Sequence, residues 1–346
     1  MKELRAAIIG AGQESNASHV PNFLKNRDMA DLIAICDLNE ENARTTAERF
    51  QIPAFYTSHM QMLQKERPDM VSICVTNKVH AQLTIDALRA GCHVLCEKPP
   101  AMNACEAQSM ADAAREAGRF LTYNLHYRHA PEVKAVKGMM KNGELGRVYA
   151  GKVTALRRRG IPGWGTFTNA GLQGGGPLMD IGVHMLDTAM YLLDYPEPAF
   201  VMAGKSDLIG KRGGVGLFGP WDGARFTVED ALFGSIVFKN AMVLQIETSF
   251  ALNWKHKQRL NVELFGEYAG ASVFDGEIYG EKEGLLMDSK LPFLQEEDRR
   301  LVSISDFIRC CAMNIQPMIT PEQGVMLMRL VDALYLSAET KRPIEL

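Results

Sequence analysis

Between residues 6 and 123 the chain alternates short apolar runs with amphipathic stretches. The runs at 6–9, 32–36, 70–75, 93–96 and 120–123 are too short for helices and read as strands. The stretches at 40–50, 80–90 and 104–117 carry a helical period, and Gly91 and Gly118 stand where the last two should end. Strands that alternate with helices predict a parallel sheet covered on both faces. After Tyr127 the rhythm changes. A helix is predicted over 131–141, then a turn at Gly143-Glu144-Leu145-Gly146, a long strand over 147–158, a glycine-rich loop and a helix over 180–193. Strands at 226–238, 242–252 and 259–265 follow without intervening helices, the first two joined by a hairpin at Lys239-Asn240-Ala241. Such a succession predicts an antiparallel sheet. Helical patterns return at 296–313 and 321–340.

The pattern therefore predicts an α/β chain of two domains. Residues 1–123 form a doubly wound parallel sheet. Residues 124–346 form an α+β domain on a large, mostly antiparallel open sheet, with the C-terminal helix packing back on the first domain. An open sheet of this kind commonly packs against another subunit, so a homodimer or homotetramer through that sheet is expected.

Composition narrows the field. The chain has 346 residues, 47% hydrophobic and 23% charged, which suits two globular cores. A net charge of −3 gives no basic field for nucleic acid or an anionic membrane. No apolar stretch is long enough to span a bilayer, and the N-terminus leads straight into a strand without signal-peptide features. A cytoplasmic protein is expected. Seven cysteines fit that setting: Cys36, Cys74 and Cys96 lie inside apolar runs, and no Cys-x-x-Cys pair suggests a metal site.

Chemistry first shows at Gly10-Ala11-Gly12-Gln13-Glu14-Ser15, directly after the first strand. Gly10 suits a tight turn, and Gly12 lets backbone approach a pyrophosphate at the start of the next helix. Ser15 replaces the third glycine of that fingerprint, and Glu14 is expected to point outward, away from phosphates. Asp37 ends the second strand, where an acid would accept hydrogen bonds from a ribose. It would repel a 2′-phosphate, and Leu38 and Asn39 bring no arginine, so NAD is favoured over NADP. A helix-capping role for Asp37 stands as the alternative.

Ligands of open α/β sheets bind beyond the carboxyl ends of the strands. Val75-Thr76-Asn77, with His80 soon after, and Cys96-Glu97-Lys98 end two strands there. Pro99 and Pro100 remove two donors and fix two φ angles, a stiff support for Lys98. Further on, Gly174-Gly175-Gly176 precedes Asp180 and His184, which are four residues apart and share one helical face. A carboxylate one turn from an imidazole orients the ring and makes it a better proton acceptor. A buried Asp–His pair that merely caps the helix is the other reading.

Together these segments resemble the Gfo/Idh/MocA oxidoreductase family. The resemblance is carried by Gly10-x-Gly12, Thr76-Asn77-Lys78-Val79-His80, Glu97-Lys98-Pro99, Asn124-x-x-Tyr127-Arg128, Gly143-Glu144-Leu145-Gly146, Gly176-x-x-x-Asp180-x-Gly182-x-His184-x-x-Asp187 and Thr320-Pro321-Glu322-Gln323-Gly324. It covers essentially the whole chain and departs at Asn77, where proline is common, and at Ser15. It implies a Rossmann domain and a catalytic trio of Lys98, Asp180 and His184 that moves hydride between NAD and a secondary hydroxyl of a sugar, inositol or related polyol. Cofactor contacts are expected from Gly10, Gly12, Gln13, Asp37, Leu38, Thr76, Asn77, His80, Glu97, Lys98, Asn124 and Trp164. Substrate contacts are expected from Lys98, Tyr127, Arg157, Trp164, Asp180 and His184. Arg157-Arg158-Arg159 opens a pocket wall in which Trp164 stacks on a ring or plugs the domain junction. An NAD-dependent glycoside hydrolase working through transient oxidation and a non-catalytic sugar sensor are the rival functions.

Overall fold

The computed structural model describes residues 4–346. The chain divides into two compact units, one reaching to His126 and including Asp298–Met328, the other Tyr127–Glu297 with Arg329–Leu346.

In the first unit β1 (Leu4–Ile9), β2 (Ala30–Cys36), β3 (Ala54–Tyr56), β4 (Met70–Ile73), β5 (His93–Cys96) and β6 (Leu121–Tyr123) form one sheet in the order β3-β2-β1-β4-β5-β6. Every pairing is parallel. The order reverses between β1 and β4, the switch point at which such sheets take ligands. The connecting helices are α1 (Val20–Leu24), α2 (Glu40–Phe50), α3 (His59–Glu66), α4 (His80–Arg89) and α5 (Ala104–Ala117). Asn39, Ser58 and Asn103 cap α2, α3 and α5 by accepting backbone N–H bonds. Ile8, Phe23, Ile35, Met70 and Leu95 share a core with Ile304, Phe307 and Ile308. The last three come from α9 (Arg299–Met313), capped by Asp298.

The second unit holds α6 (Pro131–Lys141), β7 (Val148–Arg157), α7 (Ala170–Gln173), α8 (Val183–Leu192), β8 (Pro198–Ser206), the small hairpin β9 (Gly214–Gly216) and β10 (Gly219–Trp221), β11 (Ala231–Phe238), β12 (Val243–Ser249), β13 (Gln258–Gly266), β14 (Ala269–Ser272), β15 (Glu277–Lys282), β16 (Leu285–Lys290) and β17 (Ile344–Glu345). α10 (Pro321–Thr340) precedes β17. Nine strands make a mixed, mostly antiparallel sheet in the order β16-β15-β14-β13-β7-β12-β11-β8-β17, in which β7 and β12 run parallel. The helical segment before α8 lies close on that sheet: a Cβ on Gly182 would come within 2.5 Å of the Thr248 methyl. Phe200, Met202, Phe233, Phe265 and Tyr279 stand exposed on its strands.

Several elements differ from the sequence pattern. The strand expected over 226–238 begins only at Ala231, because Glu229 and Asp230 turn aside to accept loop N–H groups. β3 and α3 are too short to raise a periodic signal. β9 and β10 are glycine-rich and do not alternate.

Candidate active site

In the first unit the chain leaves β1 through Gly10, at φ +106°, a conformation that favours glycine. A Cβ there would sit 2.0 Å from the Cys74 carbonyl oxygen, so the turn is pressed against the end of β4. Gly12 has nothing within 4 Å of its own Cβ position, which leaves the backbone approachable. A π-helical turn, Ser15–His19, follows and runs into α1; the Val20 N–H bonds back five residues to Ser15. Ser15 Oγ is buried and has no hydrogen-bond partner among the described residues. Asp37 accepts the Ala11 N–H at 2.8 Å and the Asn39 N–H at 2.8 Å, tying the glycine turn to the end of β2. Leu38 beside it is fully exposed, at 93%. Glu14 does not simply point outward. It is half-exposed and pairs with Arg300 at 3.4 Å; burial and then Glu97 raise its carboxyl.

Lys98 follows β5, and its peptide bond to Pro99 is cis. The side chains around it are buried and hydrogen-bonded within the first unit. Glu97 is 7% exposed and its oxygens are engaged: one takes His19 Nε2 at 2.9 Å and Asn124 Nδ2 at 2.5 Å, the other the Lys98 N–H at 3.0 Å. Burial works against its charge, but His19 and Lys98 hold the carboxyl down at about 2. Asn124 is wholly buried between Glu97 and Ser303. His80 is also wholly buried, its two ring nitrogens facing the carbonyls of Pro99 and Val75 at 2.9 and 3.1 Å. These three side chains brace the strand ends from within. Their place after a strand was readable; that they point inward was not.

In the second unit a buried carboxylate shapes the glycine loop. Glu229 accepts the N–H groups of Gly176 and Leu178 and the Tyr335 hydroxyl. Side chains are excluded there: a Cβ on Gly175 would lie 2.0 Å from the Tyr335 oxygen and one on Gly176 2.2 Å from the Glu229 carbonyl. The loop opens a second π-helical turn, Leu178–Gly182, in which Val183 N–H bonds back to Leu178. Such turns are rare and concentrate at functional sites. Asp180 lies in this turn and His184 at the start of α8.

Arg157, at the end of β7, brings its guanidinium to 3.6 Å from Asp180 and over the rings of Phe218 and Phe250. Burial lowers its pKa, against the pull of Asp180. It is thus placed to set Asp180. The Tyr127 ring packs on His184 with centroids 4.9 Å apart. Arg128 is wholly buried and pairs with Asp187 through Nε at 2.9 Å and Nη2 at 2.7 Å. Asp187 is therefore a clamp one turn beyond His184. Trp164 is 44% exposed and meets Phe167 and Phe218 edge-on. Phe218, between β9 and β10, Glu229, Tyr335 and His19 were not singled out from the sequence.

Residues 4–125 match the model of an oxidoreductase family with an NAD-binding Rossmann fold, and residues 137–346 match that family's C-terminal alpha/beta domain. The chain belongs to the Gfo/Idh/MocA family. A D-glucoside 3-dehydrogenase of Escherichia coli K12 is 43% identical over 99% of this chain and 97% of its own. A myo-inositol 2-dehydrogenase of Thermotoga maritima is 26% identical over 99% of this chain and 98% of its own. A solved levoglucosan dehydrogenase in complex with NADH has the same fold, with a TM-score of 0.85 at 21% identity over 99% of both chains. This family member is thus an oxidoreductase with an NAD-binding domain. Its own residues fit the dinucleotide: the open backbone at Gly12, the buried Ser15 hydroxyl and the acid after β2 are what phosphates and a ribose require.

Proposed function

We propose that the protein is an NAD-dependent sugar dehydrogenase that oxidises a secondary hydroxyl of a D-glucoside, C3 first among the ring positions. The observation that carries this reading is the 43% identity, end to end, with a D-glucoside 3-dehydrogenase. When bound, the nicotinamide supplies the hydride acceptor. In this reading the His184 imidazole takes the hydroxyl proton. Asp180 holds that ring and a neighbouring substrate hydroxyl, and is itself set by Arg157. The Lys98 ammonium donates to the reacting oxygen and stabilises the charge that develops on it. Tyr127 packs on the imidazole, and the half-exposed Trp164 offers a face to a pyranose ring.

Gly10, Gly12, Gln13, Leu38, Thr76 and Asn77 are assigned to the cofactor. Asp37 favours NAD over NADP, since its carboxylate would face a 2′-phosphate and no guanidinium follows at 38 or 39. The exposed apolar residues of the nine-stranded sheet, Phe200, Met202, Phe233 and Phe265, support self-association into a dimer or tetramer. The free state of all seven cysteines supports a reducing, cytoplasmic setting.

The test is a panel of methyl α- and β-D-glucopyranosides, free glucose and inositols, read by NADH absorbance together with product analysis. Net NADH with a ring ketone is expected, and Lys98→Ala and His184→Ala should each abolish turnover while NAD still binds. Release of free sugar without net NADH would replace the dehydrogenase by the hydrolase. Full turnover in both variants would remove the assigned roles.

A further inference from the structure

The corner that presents Lys98 is gripped from both sides by buried histidines. On the amino side, His19 lies at the end of the π-helical turn and is wholly buried. Its Nδ1 meets Ser72 Oγ at 2.7 Å and its Nε2 meets Glu97 at 2.9 Å. Glu97 in turn accepts the backbone N–H of Lys98 at 3.0 Å and the amide of Asn124, whose oxygen takes the Ser303 hydroxyl of α9 at 2.9 Å. On the carboxyl side, His80 Nδ1 lies 2.9 Å from the carbonyl of Pro99 and Nε2 lies 3.1 Å from that of Val75.

A polar chain of this length inside a Rossmann core is expensive. Ionic and polar groups buried there gain less than well-packed apolar side chains of similar volume. Glue for β4, β5 and β6 would not need it, since the ladders already join them. The two arms nevertheless converge on one dipeptide: the N–H of Lys98 and the carbonyl of the proline that follows. An ammonium on a long, flexible stem gains most from such a fixed root, because small displacements of a catalytic group cost rate steeply.

We infer that His19 and His80 are positioning residues for Lys98, His19 acting through Glu97 and His80 through the Pro99 carbonyl. The inference rests on Lys98 being the catalytic cation proposed above.

The experiment uses the full-length protein with NAD and methyl β-D-glucopyranoside, and compares His19→Leu, His19→Gln and His80→Leu in the parent and in a Lys98→Met background. In the parent, His19→Leu and His80→Leu should each lower kcat by about tenfold to a hundredfold, while the NADH dissociation constant stays within about twofold and the circular dichroism is unchanged. His19→Gln, whose amide nitrogen can still donate to Glu97, should recover most of the loss. In the Lys98→Met background neither leucine substitution should lower the residual rate further. The inference is overturned if both leucine variants keep parental kcat, if they lower the rate by the same factor without Lys98, or if NADH affinity falls in step with kcat. Should His19→Leu not fold, His80→Leu decides on the same criteria, and His19→Gln decides if neither leucine variant folds: parental folding with a hundredfold lower kcat would overturn the rescue. Full turnover by Lys98→Met alone would instead sink the reading of Lys98, whatever the histidine variants do.

Discussion

Arg128→Met is the substitution whose cost follows most directly from the geometry. The guanidinium and the Asp187 carboxylate are 0% and 1% exposed and joined by two bonds of 2.9 and 2.7 Å. The Tyr195 hydroxyl donates to the same carboxylate at 2.7 Å, and the Tyr191 ring lies under the guanidinium at 5.0 Å. Burial lowers the guanidinium's affinity for its proton, and Asp187 more than restores it. Removing Arg128 leaves a buried carboxylate with one neutral donor. Breaking such a pair from one side costs about 3–5 kcal/mol. At about 1.4 kcal/mol per decade that shifts the unfolding equilibrium by roughly a hundredfold to a few thousandfold. Arg128→Met with Asp187→Leu removes both charges, and the same reasoning returns most of the loss, because the pair's desolvation goes with it. All three tryptophans, Trp164, Trp221 and Trp254, lie in the second unit. Urea unfolding followed by tryptophan fluorescence therefore reports the unit that holds the pair. The expected order is parent, double variant, then Arg128→Met well below. Catalysis should follow that order, since Asp187 sits one turn past His184 and Tyr127 adjoins Arg128. An Arg128→Met midpoint equal to the parent's, or a double variant no better than the single one, would refute the reasoning.

Three further outcomes are expected. Gly10→Ala places a methyl 2.0 Å from the Cys74 carbonyl at φ +106°, so soluble yield or NAD affinity should fall at least tenfold, as isothermal calorimetry would read. The Glu97–His19 pair should give the first unit a stability window in pH. The Glu97 carboxyl is depressed to about 2, so its contribution is present above about 4.5 and lost as pH falls towards 2. Burial alone would lower the His19 pKa, but Cys74 and Glu97 raise it, so its contribution is full below about 6.5 and fades as pH rises through the raised value. Hydrogen exchange of a peptide spanning 93–98 should be slowest near pH 5–6 after correction for intrinsic rates, and Glu97→Gln should flatten that maximum. Finally, Asp37→Ala with Leu38→Arg should move the ratio of kcat/KM for NAD over NADP by at least tenfold towards NADP, read by the absorbance of the reduced cofactor.

The legible parts of this chain are those in which one residue type has one physical use. Gly10 must take a positive φ, Asp37 ends an apolar run, and the parallel strands are continuous apolar stretches. Each of these could be placed from the sequence. Direction was harder to read. His80 and Asn124 lie at the strand ends where ligand contacts belong, yet both turn inward, because buried carbonyls and the Glu97 carboxylate need donors there. His19 was invisible for the related reason that a single histidine on a helix face reads as solvated until Glu97, 78 residues away, is set beside it. Phe218 depends on a glycine hairpin with no alternation, and Glu229 falls inside the run 226–238 that reads as one strand. Long-range polar pairing leaves no period in a sequence.

The central claim is that hydride leaves C3 of a glucoside for a bound nicotinamide. It is tested most directly with methyl β-D-glucopyranoside carrying deuterium at C3, and with the C2- and C4-labelled compounds beside it. Mass spectrometry of the reduced cofactor should find the label from the C3 compound alone, together with a slowed turnover. Unlabelled NADH from the C3 compound, or label arriving from C2 or C4, would contradict the account.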